Sequence, residues 1–255
     1  QAVEYFRRND YPDKAEILPY RPGETIAMYR IGEMREYFYG AMVPSTGYLK
    51  TFALKPHFPG MVLCMPAPSA PERPAPYQPR PKHLRVFSES QEWCRILGAS
   101  NVADVNHMIE RGQMREFVRV NEALQDKSIS HIADEIVTRN AQIVLVFGPS
   151  SSGKTTFAHR LAVQLRVLGK RPQLVSLDDF YKARAEAPIG DDGKPDLESI
   201  EALDVGYLSD CIEQLLSAET VQMPRFDFVT GKRMPETTPM MLAGNGPLIL
   251  EGIHA

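Results

Sequence analysis

The chain has 255 residues, enough for one large domain or two ordinary ones, and 43% hydrophobic with 24% charged residues mark a folded globular protein rather than a disordered one. A formal charge of −3, from 29 basic and 32 acidic side chains, gives no surface-wide attraction for nucleic acid. Cys64, Cys94 and Cys211 lie far apart with no C-x-x-C pair, which argues against a disulfide framework or zinc knuckle and predicts a cytoplasmic setting. No apolar run approaches the roughly 20 residues of a membrane span, and none reads as a signal peptide. Starting at Gln1 and stopping at Ala255, one residue past an apolar strand pattern, the sequence is expected to be part of a longer protein.

Residues 1–64 mix aromatics, glycines and short apolar runs such as 25–29 and 61–64, which predict strands of a small α+β unit. Between Met65 and Pro81 stand seven prolines, and the missing amide donors predict an extended, stiff linker over 65–81. A helical connector is expected over 82–140. Ser88-x-x-Gln91 resembles a capping box, and two or three short helices should follow to about Gln125. Ile129, Ile132, Ala133, Ile136 and Val137 then form one apolar stripe, the face of a further helix that docks on the next domain. His107 and His131 have no second ligand at metal-binding spacing.

From residue 141 the pattern alternates: strand 142–147, helix 154–168, strand 173–177 and a later buried strand 248–253, predicting a parallel sheet flanked by helices over 141–255. Between the first strand and the helix stands Gly148-Pro149-Ser150-Ser151-Ser152-Gly153-Lys154-Thr155-Thr156, which matches G-x-x-x-x-G-K-[ST] in the context that motif requires. Its backbone N–H groups and the helix N-terminus cradle phosphates, Lys154 adds a full charge on the β- and γ-phosphates, and the Thr155 hydroxyl reaches Mg²⁺. ATP and Mg²⁺ are therefore the expected cofactors. The second strand runs into Asp178-Asp179-Phe180-Tyr181, two carboxylates at the carboxyl end of a parallel strand. One of them can accept the proton of an attacking hydroxyl, and Asp178 is the better candidate base. Glu251, closing the third apolar run, is the candidate second holder of Mg²⁺, whereas His254 after it reads as packing or loop.

The segments GPSSSGKTT, SLDDFYK, VQMPRFDFVTGKR and LILEGIHA, in this order, resemble the uridine kinase and phosphoribulokinase family over about residues 141–255. The resemblance implies a P-loop NTPase-type, five-stranded parallel sheet that binds ATP and phosphorylates the 5′-hydroxyl of a nucleoside. It implies Asp178 as base, Tyr181 lining the nucleoside pocket, Glu198 gripping ribose hydroxyls and Phe226 stacking on the base. Where uridine kinases carry a base-reading histidine this sequence has Gly231, so loose or non-pyrimidine base selection is expected. The family's arginine-bearing lid would lie beyond the third strand, outside this sequence.

Residues 39–54, Tyr-Gly-Ala-Met-Val-Pro-Ser-Thr-Gly-Tyr-Leu-Lys-Thr-Phe-Ala-Leu, are similar to the second additional domain of threonyl-tRNA synthetase, a fusion of bacterial type. Phe38 and Met42 fall where that domain carries its editing Cys and His, and neither can activate water, so no hydrolytic editing is expected. The leading function is ATP-dependent phosphoryl transfer to a nucleoside-like small molecule. The nearest enzyme alternative is a phosphoribulokinase-like sugar-phosphate kinase, with Lys182, Arg184, Lys232 and Arg233 available for a second phosphate. A different class is an ATP-gated RNA-binding or regulatory protein, although the arginine–aromatic interleaving of an RNA face is missing. No membrane partner is expected, and the sequence does not fix the oligomeric state.

Overall fold

A computed structural model describes residues 1–58, 60–190, 193–242 and 244–255. The chain divides into two compact units, Gln1–Asn121 and Glu122–Ala255.

The first unit opens with two helices, α1 (Ala2–Arg8) and α2 (Pro12–Ile17), ahead of the strands expected within a small α+β unit. Phe6 anchors them. It is fully buried, with edge-on ring contacts to Tyr5, Tyr11 and Tyr37. Three antiparallel ribbons follow: β1 (Met28–Ile31) with β2 (Met34–Tyr37), β3 (Ala53–His57) with β4 (Gly60–Cys64), and β5 (Pro66–Ala67) with β6 (Ala70–Pro74). The last ribbon occupies part of the stretch expected to be an extended linker. In a two-stranded ribbon each strand has a free edge, so a proline can turn its donor-less nitrogen outward and still belong to the pair.

The helix after the ribbons, α3 (Pro81–Leu97), begins seven residues before the expected capping box. Pro81, at the first helical position, supplies the preset φ and lacks only an N–H that would be orphaned there anyway. Ser88 is therefore mid-helix, its hydroxyl donating to the Leu84 carbonyl at 3.1 Å. The capping box that does form opens α4 (Val102–Glu110): Asn101 accepts from the Asp104 backbone and Asp104 accepts from that of Asn101. The expected short helix ending near Gln125 and the striped helix after it are one element, α5 (Met114–Thr138). Nothing between Gln125 and Ile129 is a helix breaker.

The second unit starts within α5 and is built on a parallel sheet of β7 (Ile143–Phe147), β8 (Gln173–Ser176) and a later strand, Leu248–Gly252. That last strand lies between the other two, pairing Leu250 with Leu145 on one side and with Val175 on the other. Among the described residues the sheet has three strands, against five in the architecture that the resemblance implies. Alternation along the central strand sends Ile249 to one face and Leu248 and Leu250 to the other. Ile249 joins Val146 and the packed sides of α5 and α6 (Lys154–Val167), including Ile129 and Ala133 of the expected stripe. Leu248 and Leu250 join Val175, Phe180 and α7 (Val205–Leu216). Two further ribbons lie outside the sheet. β9 (Val221–Met223) pairs with β12 (Thr238–Met240), and β10 (Phe226–Asp227) pairs with β11 (Lys232–Arg233). The central strand is β13.

Candidate active site

The three parallel strands deliver their carboxyl ends to one place. β7 runs into the loop 148–153, which opens α6. Ser151 holds a left-handed φ of 60°, uncommon for a residue with a side chain, and Gly153 follows at 85°. Lys154 folds back so that its Nζ donates to the Pro149 carbonyl at 2.9 Å. A neutral carbonyl is a weak partner for an ammonium, so the charge is available to a stronger anion in the loop. A cleft of about 640 Å³ beside the loop is lined by Ser152, Gly153, Lys154, Thr156 and Phe157 together with β7.

β13 brings Glu251 to the end of the sheet, buried, with Oε1 accepting from the Ser176 hydroxyl of β8 at 2.8 Å and from the Thr155 hydroxyl in the first turn of α6 at 3.2 Å. One carboxylate thus ties the ends of β13 and β8 to the start of α6. Ser176 was not anticipated. Its only sequence signal is its place two residues before Asp178 in a strand-end segment. A divalent ion that prefers hard oxygen ligands finds them in Thr155 and Glu251. No group of three or more His, Cys, Asp or Glu side chains able to hold a metal ion occurs among the described residues. That donor set fits Mg²⁺, which takes one or two protein oxygens and completes its shell with phosphate and water.

After β8 the chain makes a single 3₁₀ turn, Leu177–Phe180, carrying both aspartates. The turn packs tightly on the end of β13: a Cβ at Gly252 would stand 2.8 Å from Leu177 Cβ, so only glycine permits the approach that sets Asp178 beside Glu251. The two aspartates divide. Asp179 Oδ1 accepts the backbone N–H of Phe226 at 3.1 Å and so fixes β10. The Asp178 carboxylate accepts no hydrogen bond among the described residues. Burial raises its pKa above the ordinary carboxylate value, the nearby Glu251 charge pushes the same way, and Lys154 and His254 pull it down. His254 Nε2 is itself buried without a hydrogen-bond partner.

Tyr181 follows, buried, its hydroxyl donating to the Leu197 carbonyl at 3.0 Å. Burial raises the phenol's pKa, and the charges of Asp178 and Glu198 add to the effect. The Tyr181 ring meets Phe226 at 5.8 Å and Phe228 at 6.3 Å, and those two meet each other at 5.1 Å. Phe226 is only 9% exposed, met edge-on by Phe228 and at a tilt by Tyr181, whereas Phe228 is 52% exposed and is the more accessible ring. Glu198 is exposed. Gly231, expected to leave an empty position at the base, is covered by the side chain of Arg184. In the first unit, Phe38 and Met42 are both exposed. Cys64, Cys94 and Cys211 are free, and among the described residues no helix is long and apolar enough to cross a membrane.

Comparison with known proteins covers part of the second unit. Residues 143–255 match the model of the phosphoribulokinase / uridine kinase family. The uridine kinase of Lactobacillus helveticus is 32% identical over 111 residues, 44% of this chain and 51% of its own length. Uridine kinase-like protein 4 of Arabidopsis thaliana is 31% identical over 98 residues, 38% of this chain and 20% of its own length. The chain thus spans about half or less of the length of these curated relatives. The solved structure of a possible uridine kinase from Bacillus stearothermophilus aligns with 47% of this chain and 68% of its own at 23% identity, with a TM-score of 0.38. The family match is confined to residues 143–255, and residues 1–142 lie outside it.

Proposed function

We propose that the protein transfers the γ-phosphoryl group of ATP to a hydroxyl of a nucleoside-like small molecule, with Asp178 as general base. The observation that carries this reading is the division of labour between neighbouring aspartates. Asp179 is committed to the Phe226 backbone, while Asp178 stands without a hydrogen bond between Lys154 and the aromatic wall. The amides of the loop from Gly148 through Pro149, Ser150, Ser151, Ser152 and Gly153 to Thr156, together with Lys154, bind and orient the phosphates. Thr155 and Glu251 would hold Mg²⁺, which when bound neutralises charge on the transferring group. Tyr181, Glu198 and Phe226 line the acceptor pocket, and Asp178 takes the hydroxyl proton as the oxygen attacks. The raised pKa suits a base that must hold a proton once it has accepted it.

Replacing Asp178 by Asn keeps its shape and removes proton acceptance, so Asp178→Asn should lower kcat by about 10²–10⁴-fold with ATP affinity little changed, and Asp179→Asn should cost far less. Reversed effects would move the base by one residue. Two fully active mutants would end the mechanism. A sugar-phosphate acceptor is the second reading: Arg233 is paired with Asp204, whereas Lys182 meets only the Glu201 carbonyl and Arg184 only that of Phe228. For the first unit we retain the synthetase-like reading without editing chemistry. Hydrolysis of a mischarged tRNA, lost on deleting residues 1–64, would refute it.

A further inference from the structure

Beside the aromatic residues stands an exposed arginine with no role so far. Gly231 sits at the β10–β11 turn with φ 66°, and a Cβ added there would stand 3.1 Å from Arg184 Cβ, 3.2 Å from Nε and 3.4 Å from Cζ. Arg184 fills the space that glycine leaves. Its backbone N–H donates to the Gly231 carbonyl at 2.9 Å, and its Nη2 donates to the Phe228 carbonyl at 3.2 Å. Among the described residues the guanidinium has no ion pair and no other hydrogen bond, so Nε, Nη1 and the second Nη2 proton remain to be used.

The surroundings narrow what it can bind. Phe228, whose carbonyl holds the guanidinium, belongs to the aromatic wall with Phe226 and Tyr181, and the charge of Asp178 reaches Tyr181 at the other end of that wall. The neighbouring guanidinium of Arg233 is paired with Asp204, and the ammonium groups of Lys182 and Lys232 cannot form a planar fork, so Arg184 is the side chain here able to meet two acceptors in one plane. A single donor-only fork beside aromatic rings suits the edge of a planar, uncharged ring.

We infer that Arg184 sets acceptor specificity by reading the edge of a nucleobase, favouring bases with two adjacent hydrogen-bond acceptors, the O6 and N7 of a 6-oxopurine. A guanidinium pairs with both atoms at once. Adenine offers an amino donor in place of O6, and two donors facing each other leave both unpaired. This inference rests on the acceptor-pocket reading above, which places the reacting hydroxyl at Asp178 and the ring along the wall.

The test is ADP release by the full chain with inosine, guanosine, adenosine and uridine, for the wild type, Arg184→Ala and Arg184→Lys. In the wild type, kcat/KM for inosine and guanosine should exceed that for adenosine roughly ten- to a hundredfold. That ratio should collapse in Arg184→Ala, and also in Arg184→Lys, which keeps the charge but loses the fork. A wild-type preference for adenosine or uridine, or a ratio that survives either substitution, overturns the inference and leaves the kinase reading standing. If ATP binds but no nucleoside stimulates ADP release, the acceptor-pocket reading itself falls, and the inference with it.

Discussion

The second unit packs apolar side chains on both faces of a single sheet, whereas the first distributes its strands among three separate ribbons. In the second, every element that carries a candidate site residue is anchored in one of two buried clusters or hydrogen-bonded to something that is. In the first, Phe52, Leu54, Phe58, Met61 and Leu63 on or beside the β3–β4 ribbon are all exposed, and a lone ribbon of that kind is marginally stable in water. Precise chemistry needs side chains held to a fraction of an ångström, and only the second unit has the packing to supply it.

The sharpest way to break this contrast is at the loop. Lys154→Ala removes the ammonium and leaves phosphate facing partial charges alone, so turnover should fall by roughly 10²–10³-fold or more and ATP binding should weaken, measured by coupled assay and calorimetry. Unchanged turnover would remove the loop from the mechanism. In the first unit the largest effect belongs to Phe6. Phe6→Ala should cost about 3–5 kcal/mol, seen as lost hydrogen-exchange protection across α1 and α2. Retained protection would mean that these helices are held by something other than that ring.

Asp178 sharpens the comparison from the stability side. Its folded pKa is raised, so the native state binds a proton more tightly than the unfolded chain, and its contribution to stability falls as pH rises from the ordinary Asp value through the raised one. Asp178→Asn removes that loss. The mutant should melt no lower than the wild type, and higher above that window, while its rate collapses. The wild-type rate should rise with pH through the raised pKa, a limb absent from the mutant. A mutant that melts several degrees lower at neutral pH would show that the carboxylate is structural. The smallest effect is expected at Asn101, where Asn101→Ala removes one half of the α4 capping box and should cost about 1 kcal/mol, read by chemical denaturation.

The legible parts of the sequence were those whose constraint is local. The loop 148–155 lies between a strand and a helix that its own neighbours specify, and the Ile129–Val137 stripe repeats within a single helix. Ser88 shows the limit: its motif is genuine, yet Pro81 starts the helix earlier and converts a cap into an interior residue. Ser176 could not be read at all, and Arg184 only as one of four cations available to a second phosphate. The first matters because β13 brings Glu251 beside it across 75 residues, and the second because Gly231 leaves it room. The two aspartates, which sequence position ranks but does not separate, part company when β10 arrives to engage Asp179.

The placement of β7 has a consequence for handling the protein. Among the described residues this strand pairs with β13 on one side only, and Leu145 and Phe147 on it are 55% and 73% exposed. Unsatisfied amides and carbonyls beside apolar side chains form a template for any extended segment that meets them. The strand that delivers the phosphate loop is thus also the stickiest edge of the sheet, and concentrated samples of this chain would be expected to self-associate there first.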